Sequence, residues 1–185
     1  MLEKNPSKGK LLVAEPSILN DKEFNRSVIY LTEHNKDGCI GFILNKPTEF
    51  ILSDLIPEIK CNFTIFNGGP VEQENLYFIH KLPNLIPNSI KIDKDIYWGG
   101  SFDVLTELLN TNQINFTDIR FFLGYSGWSE NQLTDELNES TWIVTSNKYP
   151  NIFKINSDLI WRNQLMAFGD EYQIWANAPK NPALN

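Results

Sequence analysis

Two short apolar runs set close together constrain this chain most. Residues 27–33 (SVIYLTE) and 39–44 (CIGFIL) are rich in β-branched and aromatic side chains, and each has the length of a single strand. Between them lies only His34-Asn35-Lys36-Asp37-Gly38, a five-residue polar loop ending in Gly, as hairpin connections often do. The pair predicts an antiparallel hairpin.

The rest of the chain adds more strands than helices. Residues 10–15 (KLLVAE) read as a first strand stopped by Pro16, and further strands are expected at 63–66, 76–80, 89–92, 120–125 and 141–145. Helices are expected at 101–110, where Phe102, Leu105, Leu108 and Leu109 fall on one side, and at 157–168, closed by Gly169. A short helix at 53–59 has Ser53 as N-cap and Pro57 to end or kink it. Ser129-Glu130-Asn131-Gln132 matches a capping box, so another helix should begin there and run to about Asn138. Hairpins followed by interspersed helices indicate an α+β fold with a strongly bent or barrel-like sheet, rather than repeated βαβ units. With 185 residues and no repeat, low-complexity tract or long linker, residues 1–185 are expected to form one domain.

Charge narrows the function classes. Lys and Arg total 16 against 23 Asp and Glu, a net charge of 16 − 23 = −7, and the arginines are only Arg26, Arg120 and Arg162. Direct DNA contact is disfavoured, because little is present to neutralise phosphates. Lys4, Lys8 and Lys10 read as a solvated arm. No apolar run approaches the roughly 20 residues needed to span a bilayer, and the charged amino terminus lacks the apolar stretch of a secretory signal. Two cysteines, Cys39 and Cys61, at no metal or redox spacing fit a cytoplasmic chain.

Three glycine-containing segments border the expected strands: 38–47, 67–70 and 124–128. Each serves a tight turn or close contact with a ligand equally well. Gly124-Tyr125-Ser126-Gly127-Trp128 fails as a hydrolase nucleophile elbow, since Trp128 stands where the second Gly belongs and both His34 and His80 precede the serine. No phosphate loop, dinucleotide fingerprint or zinc spacing occurs, so no cofactor or metal is expected. His80, ending an aromatic strand, reads as a structural hydrogen-bonder, and Cys39 as a buried apolar cysteine or a reactive thiol. Arg26, Glu33, Asn45 and Lys46 form a polar set around the first hairpin, either fastening strand ends or binding a ligand. The five tryptophans, Trp98, Trp128, Trp142, Trp161 and Trp175, are expected to pack in the core or at its edge. The stretch from Ala178, with Pro179 and Pro182, should run extended and offer a surface for self-association.

An ordered set of segments resembles the YqgE/AlgH family of bacterial proteins: GKLLVAEP at 9–16, FNRSVIYLTEHN at 24–35, GCIGFILNKP at 38–47, GGPV at 68–71, FIH at 78–80, RFFLGYSGWSENQL at 120–133 and the closing PKNPALN. The resemblance implies an α+β domain whose irregular, bifurcated sheet forms a pseudo-barrel flanked by helices. It carries over no catalytic residues, since the family is mostly uncharacterised, with one branch described as a transcriptional regulator of alginate production. The expected function is a cytoplasmic binding or regulatory protein acting through a protein or small-molecule partner, with Arg26, Glu33, His34, Asn45, Lys46, Gly69 and Ser126 bordering one concave surface. The alternative is a small hydrolase or transferase using Ser126, Cys39 or His34.

Overall fold

The hairpin forms where the two apolar runs lie, and more tightly than expected. In the computed structural model, which describes residues 5–18 and 21–179, β2 (Val28–Asn35) follows β1 (Lys10–Ala14) and pairs antiparallel with β3 (Gly38–Ile43). The register joins His34 to Cys39 and Asn35 to Gly38, so the five-residue loop shrinks to the turn Lys36-Asp37. The Asn35 side chain accepts from the Asp37 N–H at 2.8 Å, which lets a polar turn this short close. Lys4 and the residues from 180 onward, on which the basic arm and the extended tail partly depend, lie outside the described residues.

Beyond the hairpin the chain runs through β4 (Pro47–Ile51), α1 (Leu52–Leu55), β5 (Thr64–Asn67), β6 (Val71–His80), β7 (Ile90–Asp93) and β8 (Ile96–Trp98). It continues through α2 (Phe102–Asn110), β9 (Ile119–Ser129), α3 (Gln132–Asn138), β10 (Trp142–Ser146), α4 (Ile160–Phe168) and α5 (Gln173–Asn177). Strand order is β10-β1-β2-β3-β9-β6-β8-β7, with β4 pairing β5 and β5 lying parallel to β9. The architecture is α+β, with a strongly curled, largely antiparallel sheet forming a half-barrel.

β9 is the strand on which the sheet branches. Its first half pairs with β5 and β6, and its second half, Ser126 to Ser129, pairs with β3. Residues 124–128, expected as a turn, are therefore strand. The bend sits at Gly124, whose φ of +67° an L side chain rarely adopts. Branching splits the interior in two. One core gathers β1 to β3 under α4 and α5, with Leu11, Tyr30, Phe42 and Trp161, and the other gathers α1 and α2 around Leu52, Leu105 and Phe121.

Several local expectations shift. α1 begins after Ile51 rather than at a Ser53 cap, and it ends at Leu55, two residues before Pro57. The Gln132 side chain does reach back to accept the Ser129 N–H at 3.0 Å, but Ser129 ends β9, and Asn131 stands at the N-cap position of α3 without a side-chain capping bond. α2 lies where expected, with Ser101 as its N-cap, and α4 starts three residues late, at Ile160. His80 is fully buried, with Nδ1 accepting from the Leu82 N–H at 3.0 Å and Nε2 donating to the Gly99 carbonyl at 2.9 Å, the structural role expected of it. Trp128, Trp142 and Trp161 are buried, whereas Trp175 is 44% exposed.

Candidate functional site

Antiparallel pairing of β2 and β3 brings the residue before one strand beside the residue after the other. Arg26 precedes β2 and Asn45 follows β3, so they meet although 19 residues apart: the Asn45 Nδ2 donates to the Arg26 carbonyl at 2.9 Å, and its Oδ1 accepts from the Val28 N–H at 2.8 Å. Arg26 holds a left-handed backbone, φ +55°. α4 and α5 supply the facing wall, with Trp161, Arg162 and Asn177. The cleft between them has a volume of about 540 Å³, and Asn25, Lys46, Ser157 and Asp158 complete much of its lining.

Its electrostatics are cationic. The Arg26 guanidinium lies 5.0 Å over the Trp161 ring, and its Nη2 donates to the carbonyls of Ala178 at 2.9 Å and Pro179 at 2.7 Å. Its Nε is buried without a hydrogen-bond partner. Burial pulls the Arg26 pKa down from its ordinary value, far too little to discharge an arginine at neutral pH. Lys46 Nζ donates to the Glu23 carbonyl; burial lowers its pKa, while Glu23 and Asp21 act in the opposite direction. Arg162 donates to the Asn177 Oδ1 at 2.8 Å. Trp161 is anchored by its own Nε1, which donates to the Ala14 carbonyl at 2.8 Å.

Arg120, 7% exposed, ties together two segments that lead into the cleft. Its Nη1 donates to the Leu44 carbonyl at 2.6 Å, beside Asn45 in the chain, and its Nη2 to the Phe153 carbonyl at 3.2 Å, ahead of α4. The guanidinium rests 4.3 Å over the Phe66 ring, and burial pulls its pKa down to about 10.

The seven residues expected on one concave surface do not share it. Arg26, Asn45 and Lys46 line the cleft. His34 lines a separate cavity with Cys39 at the far end of the hairpin. Glu33 accepts from the Asn35 side chain at 2.7 Å, a local fastening. Ser126 is fully buried, its Oγ donating to the Gly68 carbonyl at 3.0 Å, so substrate cannot reach it as a nucleophile. Gly69, φ +148°, packs against β9 so closely that a Cβ would fall 2.3 Å from the Tyr125 carbonyl carbon, a packing role rather than a ligand contact. The α4 and α5 side of the cleft was missed. The available signal was the scarcity of arginine: Arg26 and Arg162 are two of only three in the chain.

Comparison with known proteins agrees with the resemblance read from the motifs. The family model described as AlgH-like matches residues 11–173. A UPF0301 protein of Cytophaga hutchinsonii is 39% identical over 181 residues, covering 97% of this chain and 99% of the relative. A UPF0301 protein of Chlorobium limicola is also 39% identical, over 178 residues, covering 96% and 95%. The fold is similar to a crystal structure from Corynebacterium diphtheriae, with TM-score 0.78, 20% identity and coverage of 96% and 95%. It is likewise similar to the solution structure of the AlgH protein of Pseudomonas aeruginosa, a UPF0301 protein, with TM-score 0.70, 23% identity and coverage of 97% and 99%. With that family model spanning most of its length and near full-length relatives at this identity, the chain belongs to the AlgH-like, UPF0301 family.

Proposed function

We propose that this protein is a cytoplasmic binding or regulatory protein whose cleft between Arg26 and α4 captures an anionic group on a small ligand or a partner protein. One observation carries the reading: in a chain of net charge −7, Arg26, Lys46 and Arg162 line a single cleft in which, among the described residues, Asp158 is the one carboxylate of the lining. The volume falls in the range of small-ligand pockets. The Arg26 guanidinium rests on the Trp161 indole with Nη2 held by the Ala178 and Pro179 carbonyls, which fixes its positive charge at the cleft, and that charge suits a carboxylate or phosphate. Any effect on transcription would pass through that partner, since the acidic chain offers few cations for the phosphate backbone of DNA.

The test is a heteronuclear NMR titration with inorganic phosphate and, separately, citrate. Saturable shifts at residues 25–26, 45–46 and 176–178, weakened at least about tenfold by Arg26→Ala, support the reading, since a hydrogen bond to a charged group contributes about 1.5–3 kcal/mol. Absence of shifts with both anions, or equal affinity in Arg26→Ala, would overturn it.

A further inference from the structure

His34 and Cys39 are register partners across the β2–β3 turn, and the Cys39 Sγ lies 2.8 Å from the His34 Nδ1. The pair opens on a cavity of about 300 Å³ distinct from the cationic cleft, lined also by Ser129, Asn131 and Thr134. The other charged groups facing it are Lys36 on the turn and Glu130 between β9 and α3. Cys39 is 6% exposed, and burial pushes its thiol up, so a free thiolate is disfavoured. An imidazole in contact removes that obstacle, because it can take the proton as the sulfur attacks.

We propose that Cys39 and His34 form a nucleophilic pair that exchanges with small disulfides, making Cys39 a site of reversible mixed-disulfide formation. In the tautomer with Nδ1 unprotonated, the thiol passes its proton to His34 while the Cys39 Sγ attacks one sulfur of the small disulfide. A new S–S bond forms, the original one breaks, and the departing thiolate takes the proton from His34. Cys39 is oxidised and the small disulfide yields one thiol, so the exchange needs no other oxidant. Lys36 at the rim suits a disulfide carrying carboxylates, such as oxidised glutathione.

The experiment uses full-length Cys61→Ser protein, which leaves Cys39 as the sole thiol, incubated with oxidised glutathione and followed by intact mass. One adduct is expected, located on the Cys39 peptide and absent from the Cys39→Ser/Cys61→Ser variant. His34→Gln, with its fold checked by near-ultraviolet circular dichroism, should slow the reaction about a hundredfold, the usual contribution of a positioned base. Modification of urea-unfolded but not native protein would overturn the proposal, as would an unchanged rate in His34→Gln. If that variant fails to fold, the rate of the native Cys61→Ser protein is compared with that of the same protein unfolded in urea at one pH: a native rate above the unfolded one supports the pair, and a native rate at or below it overturns the pairing.

Discussion

The Asn45 carboxamide spans two main-chain groups of the segment opposite it, donating to the Arg26 carbonyl at 2.9 Å and accepting from the Val28 N–H at 2.8 Å. It thereby fixes the left-handed turn at Arg26 and the start of β2 with one side chain. Asn45→Ala leaves both groups without that partner in a partly buried place. At about 1 kcal/mol for each bond, the loss is about 2 kcal/mol, or roughly 4–8 °C in melting temperature for a chain of this length. Thermal unfolding by circular dichroism measures it. An unchanged midpoint would mean that the carboxamide is free to serve a ligand instead.

Gly69→Ala is the sharpest structural test of the branched sheet. A Cβ there would sit 2.3 Å from the Tyr125 carbonyl carbon and 2.4 Å from the Ser126 nitrogen, both main-chain atoms that cannot step aside. The backbone at φ +148° adds strain for any L side chain. The expected cost exceeds about 3 kcal/mol, read as lost soluble yield or a large fall in the urea midpoint. A variant as stable as the parent would place the crossing of residues 68–69 with β9 elsewhere.

These two positions also mark how far the sequence was legible. Strand identity followed from β-branched and aromatic runs, so β1, β2, β3, β5 and β10 lie close to where pattern placed them. β9 was found only in its first half, expected at 120–125, because its glycines at 124 and 127 made the continuation to Ser129 read as a turn. In a branching strand those positions instead admit a bend and the close approach of a neighbouring backbone. Gly69 and Ser126 were drawn into the expected site for the same reason: a glycine packed on a strand and a glycine at a ligand look alike in one dimension. Arg26, Asn45 and Lys46 were found because hairpin pairing alone brings them together. The facing wall from α4 and α5 depends on tertiary packing more than 100 residues away, which local pattern does not encode; the 147-residue span of the Trp161 bond to Ala14 is an instance.

Acid should weaken the fold through His80. Its Nδ1 already accepts the Leu82 N–H, so a second ring proton would break that bond inside the core, and burial lowers its pKa below the ordinary value. The unfolded chain therefore binds this proton more readily than the folded one. Stability is fully present above about pH 6.5, the unfolded value, and is lost as pH falls from there toward the lower folded value. Urea unfolding between pH 7.5 and 5.5 should show the decline, and the His80 ring resonances should titrate below those of a model imidazole. A His80 titrating at or above the model value would refute the buried neutral ring.

Glu136 should prove to be the clasp of α3. Its Oε2 accepts the indole N–H of Trp128 at 2.8 Å and that of Trp142 at 2.7 Å, and those rings meet edge to face at 6.0 Å. Glu136→Ala strips two half-buried donors of their acceptor at once, at about 1–3 kcal/mol. Glu136→Gln keeps an oxygen in place but loses the charge, so its loss should be smaller. Near-ultraviolet circular dichroism should report the change in both tryptophans. Equal stability of the alanine variant and the parent would show that water replaces the carboxylate without loss.

Arg120 offers the last test, because it links the fold to the cleft. Its fork reaches the carbonyls of Leu44, next to Asn45 of the cleft, and of Phe153, four residues before Ser157 of the cleft, and its plane rests on Phe66. A lysine keeps the charge but presents a single ammonium, which cannot hold both carbonyls in this geometry or lie flat on the ring. Arg120→Lys should therefore cost about 2 kcal/mol in urea unfolding, with the m-value unchanged because the same surface is exposed. Arg120→Met removes the buried charge and its desolvation cost but leaves the Leu44 and Phe153 carbonyls without this donor, two effects of opposite sign. Methionine matching the parent while lysine falls below it would identify the cost of an ill-placed buried cation. In that event the arginine is kept for the shape of the cleft rather than for stability, and Arg120→Met should weaken phosphate binding without lowering the melting temperature. A methionine variant that binds phosphate as the parent does would separate Arg120 from the site altogether.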